Sequence, residues 1–230
     1  MVYTKQRFIL IPVALYCLLL LLMDYAGVDI WLAKTVYHFE GMTWSLKHHW
    51  LTEEVLHRGG RLLNYAGAAV VLSVAIYWHS MKIQSDRRDA ILLLCLSLAL
   101  SFISVNYLKA ITNVDCPWDL TMFGGDMPYT HLFADKPDTL PLSRCFPAGH
   151  ASAGYAWIAL YYFFQRVAPR FQMIGLVVGL SLGLIFGIGQ QLRGAHFISH
   201  DLTTLFLCWL IAFCVFNVGN NCDNAVKRSQ

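Results

Sequence analysis

The sequence has few charged residues for its length. They make up 13% of its 230 residues, whereas soluble globular domains average about 25%. Repeats, low-complexity tracts and Ser/Gly linkers are missing as well, so we expect a single domain over residues 1–230. The net charge of +3 is small. It suits anionic lipid and gives no reason to expect a nucleic-acid partner.

Metal-ligand spacing is also missing. The seven cysteines and nine histidines are scattered, and no two cysteines form a Cys-x-x-Cys pair. We therefore expect no metal site and no other cofactor.

Apolar residues are abundant instead, at 57% of the chain, and they cluster in long runs. Crossing a bilayer takes about 20 helical residues. The pattern predicts an all-α, polytopic bundle of six transmembrane helices. The fourth run is short and begins with polar residues. The predicted spans are residues 8–24, 62–78, 90–111, 151–164, 173–190 and 201–218.

The first run also has features of a signal peptide, because Lys5 and Arg7 precede it. No small-x-small cleavage site follows, and Asp24-Tyr25 stands where one belongs. We therefore expect a retained membrane anchor.

Lys and Arg are densest in the short connections and at the two ends of the chain. Such residues accumulate on the cytoplasmic side, so both termini are predicted to be cytoplasmic and loops 25–61 and 112–149 external, as in a bacterial inner membrane with its site facing the periplasm. The basic residues in question are Lys5, Arg7, Lys82, Arg87, Arg88, Arg166, Arg170, Lys227 and Arg228.

Ionisable residues at membrane depth are costly and usually functional. Under the predicted orientation, Lys109, His150, Arg193, His196 and His200 all come to the external face, although they are far apart in sequence. Lys and Arg neutralise phosphoryl oxygens, and two histidines can supply a nucleophile and a general acid. The combination predicts a phosphate-ester site at the outer membrane–water interface.

Residues 147–150, Pro-Ala-Gly-His, open a predicted helix. Backbone N–H groups at a helix start attract anions, and the small residues Ala148 and Gly149 allow phosphate to approach closely.

Three segments resemble motifs of the type 2 phosphatidic acid phosphatase family, which also includes glucose-6-phosphatase, bacterial acid phosphatases and vanadium haloperoxidases. Lys109 is followed after six residues by Cys116-Pro117, and residues 146–154 read Phe-Pro-Ala-Gly-His-Ala-Ser-Ala-Gly. Residues 194–197, Gly-Ala-His-Phe, match the stretch around the family's nucleophilic histidine. The resemblance covers the core from Lys109 to Asp201.

The motifs depart from the family pattern at four positions. Cys116 and Gln190 stand where the family has Arg, and Ala148 stands where it has Ser. Arg193 follows Gln190 by about one helical turn and is the expected replacement, with Arg144 as the other candidate phosphate ligand.

At the fourth position His200 replaces the family's Asp, and Asp201 follows it. On a helix His200 shares the face of His196, while Asp201 is rotated by about 140°. Either residue is a candidate to orient His196.

The resemblance implies that His196 attacks phosphorus and forms a phospho-histidine, that His150 acts as general acid, and that water hydrolyses the adduct. The expected substrate is a lipid phosphate or pyrophosphate monoester held among membrane lipids. Two alternatives remain: a lipid phosphotransferase, and an inactive relative that binds anionic lipid.

Two cysteines lie in the external loop that carries the motifs. In an oxidising periplasm we expect Cys116 and Cys145 to pair as a disulfide, and two buried free thiols are the alternative.

Overall fold

The fold is known from a computed structural model, which describes residues 2–229, with side chains described for residues 9–221. Eight α-helices account for most of it, and in the described chain the only β pairing is an isolated bridge between Leu120 and Met127. The predicted all-α membrane bundle is confirmed. The helices are α1 (Val2–Tyr25), α2 (Val28–Phe39), α3 (Gly60–Ser80), α4 (Ser85–Ile111), α5 (Gly149–Tyr155), α6 (Ala159–Val167), α7 (Gln172–Leu192) and α8 (Ile198–Ser229).

Within the described part of the chain, four helical segments are long and apolar enough to cross a membrane: Leu51–Ser80, Ser85–Ile111, Pro169–Leu192 and Ile198–Asn221. Helices α1 and α2 meet at an angle of 57° and make a fifth span if the bent pair counts as one. The predicted count of six is therefore not confirmed. The predicted fourth span is two short helices, α5 and α6, joined by a 3-10 turn at Ala156–Ile158.

The second span begins earlier than its hydropathy predicts. A π-helical segment, Leu51–Gly59, runs directly into α3, so the polar residues before residue 62 are helical rather than loop. The predicted orientation of the bundle remains a prediction, and the side chains of Lys5, Arg7, Lys227 and Arg228, on which it partly rests, lie outside the described residues.

Helix α7 packs very closely against α5 and α6 along a stripe of glycines. A Cβ added at Gly175 would lie 2.7 Å from the Leu160 carbonyl carbon, and Gly183 sits directly against the ring of Tyr155. Small residues at such spacing let helix backbones approach within a membrane. The close approach fixes the start of α5 relative to the end of α7. The stripe consists of Gly175, Gly179 and Gly183, and the next glycine of the series, Gly187, faces Asp201 of α8.

The long loop of residues 112–148 is tied down over one end of the bundle. Lys136 Nζ donates to Asp115 Oδ1 at 2.7 Å in a buried ion pair, and to the Pro141 carbonyl at 2.7 Å. The Tyr129 hydroxyl donates to the buried carboxylate of Asp24 at the end of α1, at 2.9 Å. These bonds hold the loop against the helix ends that carry the candidate site.

Candidate functional site at one end of the bundle

The end of α4 and the start of α5 meet at Lys109 and Gly149. A Cβ added to Gly149 would lie 3.2 Å from Lys109 Nζ, so glycine allows the ammonium to lie against the backbone. The first residue of α5 is Gly149, and no described side chain caps it at Ala148. Uncapped N–H groups beside a lysine give this corner a positive potential.

His196 and His200 form a buried pair. Their Nδ1 atoms lie 3.3 Å apart, and both side chains are almost fully enclosed. Burial, followed by the neighbouring His200 ring, holds the pKa of His196 well below its usual range. The His196 ring is therefore neutral at pH 7, the form in which a ring nitrogen can act as a nucleophile.

Asp201 lies apart from this pair. Its Oδ2 accepts a hydrogen bond from the Gln191 amide, and its carboxylate packs against Gly187 of α7. Of the two candidates to orient His196, the structure thus brings only His200 into contact with it. The shared helical face expected from the sequence is not the reason, because His196 lies in the linker between α7 and α8, whereas His200 and Asp201 are in the first turn of α8.

His150, the second residue of α5, is oriented by the segment before α3. Its Nε2 lies 3.0 Å from the Leu56 carbonyl oxygen, which can only accept, so Nε2 carries a proton. The ring also packs against Phe186 of α7, with centroids 5.0 Å apart. Nδ1 is consequently the atom of His150 left for exchange of a proton with a substrate.

Arg193 is occupied by other contacts. Its guanidinium pairs with Glu53, donates from Nε to the Lys47 carbonyl at 2.9 Å, and donates from Nη1 to Gln190 Oε1 at 3.3 Å. Only 6% of the residue is exposed. It touches Gln190, as its place one turn later suggests, but it points towards Glu53 rather than into a cavity with Lys109.

Two cavities of about 470 Å³ each adjoin the site. We name the first the loop-side cavity; Arg144, Gln190 and His196 contribute to its wall. The second, the helix-side cavity, lies between α3, α4 and α5, and Arg61, Phe102 and His150 contribute to its wall. His57 and Lys109 line both, so the two cavities meet at these side chains.

His57 and Arg61 were not among the residues that the motifs point to. They lie one helical turn apart where the π-helical segment joins α3, and the His57 ring centroid is 4.5 Å from that of His150. The signal that points to Lys109, an ionisable residue at the end of an apolar run, could have found both of them.

A disulfide joins Cys116 to Cys145, with their Cα atoms 5.3 Å apart. It links the start of the long loop to its end, just before the Pro-Ala-Gly-His stretch. The ligating atoms of Cys116, Cys145 and Asp119 lie within 4.8 Å of one another, a spacing that a metal ion could use. Sulfurs joined in a disulfide offer no thiolate, so this group fits a metal poorly in its oxidised form.

A comparison with protein families agrees with the motif-bearing part of the chain. A family model described as the PAP2 superfamily matches residues 90–223, which is more than half of the chain and includes Lys109, His150, His196 and His200. No curated protein and no solved structure matches the chain.

Proposed function

Because the chain belongs to the PAP2 superfamily, we propose that it is an integral membrane phosphatase that hydrolyses lipid phosphate or pyrophosphate monoesters through a phospho-histidine. The observation that carries the proposal is the meeting of Lys109, His150 and His196 around two adjoining cavities at one end of an apolar bundle, with His200 in contact with His196. A lipid substrate suits this position, since its tail can stay in the bilayer while its phosphate enters the polar end.

In the first step, Nε2 of His196 attacks phosphorus. The Nδ1 atoms of His196 and His200 lie 3.3 Å apart. In the tautomer that we propose, the Nδ1–H of His196 donates to Nδ1 of His200, which leaves a lone pair on Nε2 of His196. The N–P bond forms as the P–O bond to the lipid breaks. His200 thereby orients the nucleophile and stabilises the charge that develops on its ring.

Burial and the neighbouring His57 ring lower the pKa of His150 to about 4, so before substrate binds the ring is neutral with its one proton on Nε2. The acid is therefore the imidazolium formed when a singly protonated phosphate monoester gives its proton to Nδ1 on binding. Nδ1 then passes that proton to the leaving oxygen while Nε2 stays bonded to the Leu56 carbonyl. Lys109, the backbone at Ala148 and Gly149, and the exposed Arg144 neutralise the phosphoryl oxygens. Water then attacks the phospho-histidine, with His150 as the base that accepts its proton. The products are inorganic phosphate and the free enzyme.

We propose a bacterial inner membrane as the location, with both termini cytoplasmic and the site facing the periplasm. The dense basic residues of the short connections support this orientation. The disulfide between Cys116 and Cys145 supports it independently, since disulfides persist in oxidising compartments.

A phosphotransferase is the second candidate, because a phospho-histidine can pass its phosphate to a lipid alcohol or a sugar as well as to water. An inactive relative that binds anionic lipid is the third. Supplying labelled acceptor lipids distinguishes a phosphatase from a phosphotransferase, since only a transferase moves the phosphate to the acceptor. Turnover that depends on His196 excludes the third.

The direct experiment uses the full chain purified in detergent and measures phosphate release from a panel of lipid phosphates and diphosphates. We expect release from at least one lipid and trapping of a phospho-enzyme, with neither in His196→Ala. A wild-type protein that releases no phosphate and forms no phospho-enzyme with any of them would contradict the proposal.

A further inference from the structure

His57 stands at the junction of the two cavities, although it lies outside the residues that match the family. Among the side chains that line these cavities, only His57 and Lys109 belong to both. The His57 ring is half-buried, and its neighbours on either side are the His150 ring and the Gln190 amide. A group that enters either cavity as far as Lys109 therefore comes close to His57.

A chain of hydrogen bonds decides which nitrogen of His57 carries the proton. Arg193 Nη1 donates to Gln190 Oε1 at 3.3 Å, which fixes the orientation of the Gln190 amide. The Gln190 amide nitrogen, 3.0 Å from His57 Nδ1, must then donate to that atom. A neutral His57 that accepts at Nδ1 holds its own proton on Nε2.

The far end of this chain is anchored outside the cavities. Glu53 pairs with the Arg193 guanidinium, and the Lys47 carbonyl accepts from Nε of Arg193 at 2.9 Å. Arg193 and Gln190 are thus positioning residues for His57.

The surroundings of His57 favour an anion as the partner of this N–H group. The helix-side cavity is lined by Arg61, Lys109 and His150, and no carboxylate is among the residues that line it. The two acidic groups nearest in sequence are already paired, Glu54 with Arg58 at 3.0 Å and Glu53 with Arg193. Asp119 is the one carboxylate among the residues that line the loop-side cavity. Neutral N–H donors and cations aimed at one space provide the preorganised stabilisation that a phosphoryl transition state requires.

We propose that His57 is a third histidine of the site, a phosphate-binding residue whose Nε2–H donates to a phosphoryl oxygen while Gln190 and Arg193 hold it in that tautomer. This inference rests on the proposed function for its substrate, a lipid phosphate. Its role differs from those of His150 and His196, since His57 neither transfers a proton nor forms a bond to phosphorus.

Two substitutions that introduce a side-chain amide distinguish the roles of the two ring nitrogens of His57. In His57→Gln the amide nitrogen reaches the place of Nε2, whereas in His57→Asn it stays near that of Nδ1. Losing one preorganised donor typically costs about 100- to 1000-fold in turnover. We expect His57→Asn and His57→Ala to show losses of that order and His57→Gln to retain most activity. His79→Ala, an exposed histidine at the opposite end of the same helix, is the matched control.

Orthovanadate, which can adopt the five-coordinate geometry of phosphorus in the transition state, provides a readout that needs no turnover. Its affinity, measured by calorimetry on the detergent-solubilised chain, should fall in His57→Asn and in Gln190→Met and stay near wild type in His57→Gln and His79→Ala. A wild type that binds vanadate but releases no phosphate would contradict the proposed function and leave His57 testable. Wild-type vanadate affinity and turnover in His57→Asn would overturn the inference, whether or not the alanine variant folds.

Discussion

The two regions that build the site differ in how much their sequences reveal. Residues 109–201 carry the three motifs and supply the groups proposed to act on phosphorus. Residues 47–61 carry no motif, yet the Leu56 carbonyl, Glu53 and His57 all contact residues of the first region. In the proposed mechanism the motif region therefore provides the reacting atoms, and the other region sets the orientation and tautomer of His150.

A change in the motif region should remove a chemical step altogether. His196→Ala deletes the atom proposed to attack phosphorus, so we expect activity to fall to background and no phospho-enzyme to form. Phosphate release and acid-quenched labelling measure the two effects. His48→Ala, an exposed histidine of the other region, should behave as wild type. Wild-type turnover in His196→Ala on every lipid phosphate would refute the nucleophile assignment.

His150→Ala tests the meeting point of the two regions, since the Leu56 carbonyl orients this ring. General acid catalysis typically contributes about 100- to 10,000-fold. We expect a loss of that order with lipid alkoxide leaving groups and a much smaller loss with p-nitrophenolate, which departs without a proton. Rates with both substrates, compared with wild type, measure the contrast. Equal losses for the two would remove His150 from the role of acid.

The sequence was informative wherever a motif or a long apolar run carried the signal. It predicts the all-α bundle, and it brings Lys109, His150, His196 and His200 to one end without any structure. It failed for the segment Leu51–Gly59, because polar residues before an apolar run read as loop, whereas here they form a π-helix that extends the span.

The role of Arg193 shows a second limit of sequence reasoning. Helical spacing correctly places Arg193 beside Gln190, but spacing carries no information about Glu53, which is 140 residues away and takes the guanidinium. Buried ion pairs depend on tertiary contacts of this kind, and no local pattern encodes them.

Arg193→Lys tests the contact between the two regions, because Arg193 pairs with Glu53 of residues 47–61. Lysine cannot bridge Glu53, Gln190 and the Lys47 carbonyl as the planar guanidinium does, so we expect a loss of about tenfold in kcat/KM through His57. Glu53→Gln should cause a similar loss, and the double variant should lose less than the product of the two, as residues in one network do. Kinetics of the three variants measure this coupling.

A direct phosphate contact by Arg193 predicts another result. In that case Arg193→Lys would weaken vanadate binding as much as Lys109→Met, while Glu53→Gln would behave as wild type. The same panel should include Arg144→Lys, because Arg144 lines the loop-side cavity and is exposed. We expect Arg144→Lys to weaken vanadate binding less than Lys109→Met does at low salt. At high salt, where exposed charges are screened, we expect the effect of Arg144→Lys to be smaller still.

Removing the disulfide between Cys116 and Cys145 should have the smallest effect on turnover and a clear effect on stability. The bridge closes a loop across a sequence separation of 29 residues, which contributes about 3–4 kcal/mol to the free energy of unfolding on the loop-entropy model. The double serine variant should therefore unfold at a lower temperature while keeping turnover within a few-fold of wild type, since neither sulfur takes part in the proposed steps.

Thermal unfolding in detergent, with and without reductant, measures the change. Replacing the exposed cysteines Cys17 and Cys214 by serine is the matched control, because it leaves the bridge intact. Reductant should lower the unfolding midpoint of this variant as much as it lowers that of wild type. A mass spectrum of unreduced protein with free thiols at both Cys116 and Cys145 would reject the bridge. A large loss of turnover in a double serine variant of unchanged stability would instead give these sulfurs a part in the chemistry, and would make the long loop more than a support for the motif region.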